Sequence, residues 1–166
     1  MKSNKLKLMT VTALLTALNI VISRILIIPI PFTHGNINLC DAGIFIVAML
    51  YGPWPGLFAG AVSGFLLDLI SGYSQYMFFS LIVHGLEGLL VGFLFQRLHA
   101  AKSKMKQIGI MLVGTIIMVA GYFCSDSILY NVQTGLVGIP MNCIQGVVGL
   151  IIALLLTPQL RKIIKY

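Results

Sequence analysis

The chain has 166 residues, 58% hydrophobic and 9% charged, with a mean hydropathy of +1.00. A soluble domain carries roughly 25% charged residues, so this composition excludes an ordinary soluble fold and points to a lipid bilayer. The net charge of +7 does not indicate nucleic acid, because the cations sit at the ends of apolar runs rather than along a stripe.

Lys2, Lys5 and Lys7 precede the first apolar run. This start looks like a signal peptide, but no small-x-small cleavage site follows, so residues 8–29 are expected to form a retained first span. Next comes YGPWPG, Tyr51 to Gly56, inside one of the most apolar stretches. Excess Lys and Arg places the N-terminus, the segment from Arg97 to Lys106 and the C-terminal Arg161, Lys162 and Lys165 in the cytoplasm. An even number of crossings must then separate the first two, which one kinked span does not provide. YGPWPG is therefore read as a cytoplasmic turn between spans at 37–50 and 54–71, and its prolines and glycines suit a turn.

Further spans are expected at 78–95, 107–130 and 139–160. The outer connections at 31–36, 72–75 and 131–138 contain no Lys or Arg. The expected fold is an all-α membrane protein of six transmembrane helices with both termini cytoplasmic, residues 1–166 forming a single substrate-binding domain. The second span, at about 14 residues, is short against the ~20 needed to cross and admits a half-span.

Small residues recur every fourth position: Ala13 and Ala17; Gly56, Gly60 and Gly64; Gly88 and Gly92. Such faces let helices approach closely in lipid, so the glycines are expected to pack within the bundle. Ala13 and Ala17, on the outermost span, are equally placed for another protein. Cys40, Cys124 and Cys143 are odd in number and lack a CxxC spacing, so buried inert thiols are expected.

Ionisable groups inside a span cost roughly 2.5–3.5 kcal/mol each, which marks them for pairing or function. All four acids, Asp41, Asp68, Glu87 and Asp126, fall within or at the ends of spans, as does Arg24. Arg24 is expected to form a structural ion pair with Asp41 or Asp68. His84 and Glu87, Tyr122 and Asp126, and Asn142 and Gln145 are polar pairs at helical spacing on three different spans. The outer loops add Thr33, His34, Asn36, Asn38, Tyr73, Gln75, Tyr76 and Asn131. Together these describe an outward-opening pocket for a small polar ring compound. His84 and Glu87 are also spaced to bond each other as helix glue. As a metal site, His84-x-x-Glu87 supplies two ligands and no second such motif exists, so no metal is expected. Glu87 and Asp126 motivate a further class, a stand-alone proton-coupled carrier.

The stretch SRILIIPIPF…NINLCDAGIFIVAMLYGPWPGLFAGAVSGFLLDLISGY resembles the substrate-binding S components of energy-coupling factor (ECF) transporters. The similarity rests on Arg24, Pro29, Pro31, Asn38, Asp41, Gly52, Pro53, Asp68 and Gly72, and continues through FSLIVHGLEGLLVGFLF. The subgroup it most resembles is the hydroxymethylpyrimidine or vitamin B6 type, with pantothenate- and riboflavin-type relatives as alternatives. The resemblance implies a non-catalytic subunit of an ATP-driven importer in the cell membrane, which captures a water-soluble vitamin under its first outer loop. It implies as partners an energy-coupling transmembrane protein and two cytoplasmic ATPases, which use ATP and Mg. This chain has no G-x-x-x-x-G-K-[ST] of its own, and no cofactor is expected in it. By family position, His84, Glu87, Tyr122, Asp126, Asn142, Gln145, Asn36 and Asn38 are expected to bind substrate, and Ala13 and Ala17 to dock the coupling protein.

Overall fold

The computed structural model describes residues 2–30 and 35–163. The elements run α1 (Lys2–Ile25), β1 (Ile28–Ile30), β2 (Gly35–Ile37), α2 (Cys40–Tyr51), α3 (Pro53–Ser71), α4 (Met77–Arg97), a short 3-10 turn (Ala100–Lys102), α5 (Lys104–Leu129) and α6 (Val132–Ile163). Six helices form the bundle, and α1, α3, α4, α5 and α6 are long and apolar enough to cross a membrane. The 12 residues of α2 rise only ~18 Å at ~1.5 Å per residue, short of the ~30 Å hydrocarbon core. Five helices are thus long enough to cross on their own, and the sixth, α2, is short and buried. α2 carries the densest part of the core, including Ile44, Phe45 and Ala48 with no exposure.

YGPWPG breaks the chain as its residues require. α2 ends at Tyr51, Gly52 adopts φ of +92° and Pro53 opens α3, where a missing amide donor costs nothing. Two boundaries differ from expectation. Pro29 lies in β1, which pairs antiparallel with β2 to give a hairpin absent from an all-helical reading. The connection expected at 131–138 is mostly helix. Asn131 Oδ1 accepts hydrogen bonds from the Thr134 amide (2.8 Å) and hydroxyl (3.1 Å), a side-chain cap that starts α6 at Val132.

α3 and α4 cross most closely, and the glycines are the reason. A Cβ on Gly56, Gly60 or Gly64 would strike the main-chain carbonyl of Gly88, His84 or Ser80 respectively, and one on Gly92 would meet Gly52 and Pro53. The expected packing role of these glycines is therefore observed. α1 leans on α2 and α3 through a stripe of small polar groups, Thr12, Thr16, Asn19 and Ser23, all buried. The Asn19 amide donates to the Cys40 carbonyl at 3.0 Å and to Ser63 Oγ at 3.2 Å. Ala13 and Ala17 are exposed on α1, beside this stripe. Of the three cysteines only Cys40 is buried; Cys124 and Cys143 are exposed, on helices whose outer faces are largely apolar.

The two ends of the bundle differ in chemistry. At one end Arg161 donates to the Met49 carbonyl at 3.3 Å and lies over the Phe95 ring at 5.6 Å. Gln96 reaches Gly52, and Leu6 and Met9 of α1 adjoin Trp54 and Pro55. The basic segments thus gather where α2 turns into α3, above an apolar core of Phe45, Met49, Val91, Phe95, Met111 and Leu150. The opposite end carries the hairpin and the buried acids.

Candidate functional site

The hairpin roofs a polar cavity. Its walls are Ile30, Gly35, Asn36 and Asn38 above, with Asp68, Tyr76, Tyr122, Asp126, Asn142 and Gln145 from α3, the start of α4, α5 and α6. The Asn38 amide donates to Gln145 Oε1 at 2.9 Å, tying the roof to α6. The Asn38 side chain donates to Asn36 Oδ1 at 2.8 Å and accepts from the Cys40 amide at 2.8 Å, so it also starts α2. Tyr76 donates to Asp126 Oδ1 at 2.6 Å. The volume is about 30 Å³, room for roughly two waters, so a ring compound enters only if the roof lifts or side chains turn outward.

Six of the eight expected binding residues, Asn36, Asn38, Tyr122, Asp126, Asn142 and Gln145, line this one cavity. His84 and Glu87 do not. They lie beneath it, 2% and 0% exposed, with His84 Nδ1 2.8 Å from Glu87 Oε2. They connect upward through the hydroxyl of Tyr122, 3.0 Å from His84 Nε2, and Ser80 Oγ, 2.7 Å from Tyr122. Ser80 in turn donates to Asp68 Oδ2. Thr33 and His34 fall outside the described residues.

The expected ion pair is not formed. Arg24 is exposed on α1 and makes no ion pair with Asp41 or Asp68 among the described residues. Asp41 is fully buried with Oδ1 3.6 Å from His84 Nδ1, and Asp68 is bonded by Ser80. α1 presents its small polar stripe inward, leaving the arginine on its outer side. Sequence reading treated both acids as structural, whereas Asp68 lines the cavity and Asp41 joins His84 and Glu87. Ser80 was also missed, although Ser80, His84 and Glu87 at i, i+4 and i+7 share one face of α4.

Two carboxylates, four amides and two phenols line the cavity, and among the described residues no Lys or Arg does. Such a wall suits a ring bearing hydrogen-bond donors and repels a carboxylate-bearing one, because like charges at low dielectric are costly.

Comparison with known proteins gives a consistent answer. Residues 3–162 match the family described as ECF-type riboflavin transporter, S component. The thiamine precursor transporter HmpT of Lactococcus lactis subsp. cremoris is 35% identical over 163 residues, 98% of this chain and 92% of that protein. An uncharacterized protein of Pyrococcus woesei is 36% identical over 129 residues, 75% of this chain and 82% of its own length. The crystal structure of the biotin S component of an ECF-type ABC transporter superposes with a TM-score of 0.70, covering 98% of this chain and 94% of that one. At 24% identity that likeness establishes the fold alone. The cavity under a hairpin, the helical bundle around it and a match over nearly all of the sequence converge on one assignment: the chain belongs to the ECF-type transporter S-component family.

Proposed function

We propose that this S component captures a small, donor-bearing ring vitamin or precursor, hydroxymethylpyrimidine or a pyridoxine-like compound, from outside the cell. It then passes the compound inward with an energy-coupling transmembrane protein and two ATPases, which carry out the ATP hydrolysis. The observation that carries the ligand class is the pairing of Asp68 and Asp126 on a cavity wall with no described cation. Two carboxylates and four amides satisfy an amino or hydroxyl ring edge. They disfavour pantothenate and biotin, whose carboxylates would meet Asp68 and Asp126. The likeness to the thiamine precursor transporter supports the same choice.

In this reading Asn36 and Asn38 hold the ligand from the roof, and Tyr122, Asp126, Asn142 and Gln145 from the walls, while His84 and Glu87 orient Tyr122 from below. The basic end faces the cytoplasm, which puts the hairpin and cavity outside and both termini inside. Calorimetry of the detergent-purified chain against hydroxymethylpyrimidine, pyridoxine, riboflavin, pantothenate and biotin tests the proposal. Binding near one to one by hydroxymethylpyrimidine or pyridoxine is expected. Tighter binding of an anionic vitamin would sink the charge argument, and riboflavin binding would move the assignment to the riboflavin type.

Ala13 and Ala17 are exposed on α1, and Ala13 borders an apolar groove with Met9, Trp54 and Phe58. Small residues let a partner helix approach to backbone contact. Replacing both by Leu is expected to abolish co-purification with the coupling protein while leaving vitamin affinity within about twofold, since the outer face of α1 is remote from the cavity. Unchanged co-purification would place the docking face elsewhere. Uptake by vesicles containing this chain alone would favour a stand-alone carrier.

A further inference from the structure

The hydroxyl chain above His84 fixes where protons lie. Ser80 has one hydroxyl proton and donates it to Asp68, so Tyr122, 2.7 Å away, must donate to Ser80. Tyr122 then has no proton left for His84 and accepts from Nε2–H at 3.0 Å. With Nε2 protonated in the neutral ring, Nδ1 carries a lone pair. That lone pair faces Glu87 Oε2 at 2.8 Å and Asp41 Oδ1 at 3.6 Å. Three electron-rich atoms pointing at one another in a dry interior require something positive between them.

The remaining oxygens say the same. Both oxygens of Asp41 and Oε1 of Glu87 are buried and accept no well-formed hydrogen bond; the two carboxyl groups face each other, and Gln145 approaches Asp41. Buried carboxylate oxygens facing each other are costly at membrane depth, and among the described residues no Lys or Arg pairs with Asp41 or Glu87. Arg97, Lys104, Lys106, Arg161 and Lys162 lie at the basic end of their helices, and Arg24 is exposed on α1.

We propose that Asp41, His84 Nδ1 and Glu87 form a buried site for one divalent transition-metal ion. One ligand atom from each residue lies within 4.8 Å of the others. An ion bound at about 2.0–2.2 Å by nitrogen and oxygen holds tetrahedral ligands about 3.3 Å apart, between the 2.8 and 3.6 Å observed here. Two carboxylates and a neutral imidazole neutralise a divalent charge, as a low-dielectric site demands. The Nε2–H to Tyr122 bond is the outer-shell contact that fixes the tautomer of a metal-bound histidine. The sequence motif supplies two ligands from α4, and the fold adds the third from α2. The ion would brace Tyr122 on the floor of the cavity, and its site is independent of which vitamin binds above.

The test uses the full chain carrying a histidine-free affinity tag, stripped with chelator in detergent and titrated with Co2+. One Co2+ per chain with ligand-field bands in the visible, displaced by Zn2+, is expected. E87Q and D41N, each nearly isosteric, are expected to weaken Co2+ binding by at least about tenfold, and H99N, at an exposed histidine, to leave it unchanged. X-ray absorption of the zinc-loaded wild-type chain needs no variant. It should show a nitrogen and oxygen shell with no sulfur at about 2.3 Å, since Cys40 adjoins Asp41 in sequence. A folded wild-type chain that takes up no Co2+ or Zn2+ overturns the proposal and leaves a proton as the positive partner. So does a sulfur ligand, or binding that survives both E87Q and D41N.

Discussion

Replacing Asp126 by Ala is expected to weaken vitamin binding by about 10- to 100-fold, the value of a hydrogen bond to a charged group at 1.5–3 kcal/mol. Asp126 is 4% exposed, lines the cavity and accepts from the Tyr76 hydroxyl at 2.6 Å. One oxygen is thus engaged by Tyr76, leaving the other for a ring amino or hydroxyl group. The alanine variant loses that contact and also removes one hydrogen-bond acceptor of Tyr76, which packs 6.4 Å from Tyr122 and from Tyr130. Asp126→Asn separates the two effects: its amide oxygen still accepts from Tyr76, so a loss confined to ligand affinity is expected. Calorimetry on the folded variants reads both, and wild-type affinity in Asp126→Ala would remove the ligand from this end of the bundle.

Gly60→Leu is expected to prevent α3 and α4 from packing, leaving no monodisperse chain to purify. A Cβ at Gly60 would overlap the His84 carbonyl. The obstacle is main chain inside a helix, which cannot swing away as a side chain would. Overpacking into a yielding core typically costs about 1–3 kcal/mol, and displacing two helices along a shared glycine face exceeds that range. Gly60→Ala should already lower the melting temperature. Gly109 is the control: a Cβ there meets nothing within 4 Å, so Gly109→Ala should be neutral or gain up to about 1 kcal/mol from helix propensity. Thermal scans followed by gel filtration compare the three, and a Gly60→Leu chain that melts like wild type would contradict the crossing described here.

The membrane class, the break at YGPWPG, the glycine seam and most of the cavity wall were legible in the amino-acid order alone. These depend on local chemistry and one-dimensional pattern. Proline and glycine end a helix wherever they stand, glycine at every fourth position makes a seam on any helix, and the cost of burying polar groups marks Tyr122, Asp126, Asn142 and Gln145 before any contact is known. Asn36 and Asn38 were legible as part of a covering segment, but not the hairpin they belong to, because three-residue strands carry too little periodicity. Charge patterning gave the parity of the crossings, and the shortness of the second segment was legible from its length alone.

Partner choice was decided only in three dimensions. Arg24 and Asp41 suit each other on paper, yet the rotation of α1 turns its polar stripe inward and carries Arg24 to the outer face. Asp41 instead meets His84 and Glu87. The i, i+3 spacing of those two residues placed them on one face of α4, but not below the cavity floor rather than on its wall. Which acid meets which base depends on helix rotation and depth, quantities set by close packing across the whole bundle and by no local signal in the chain.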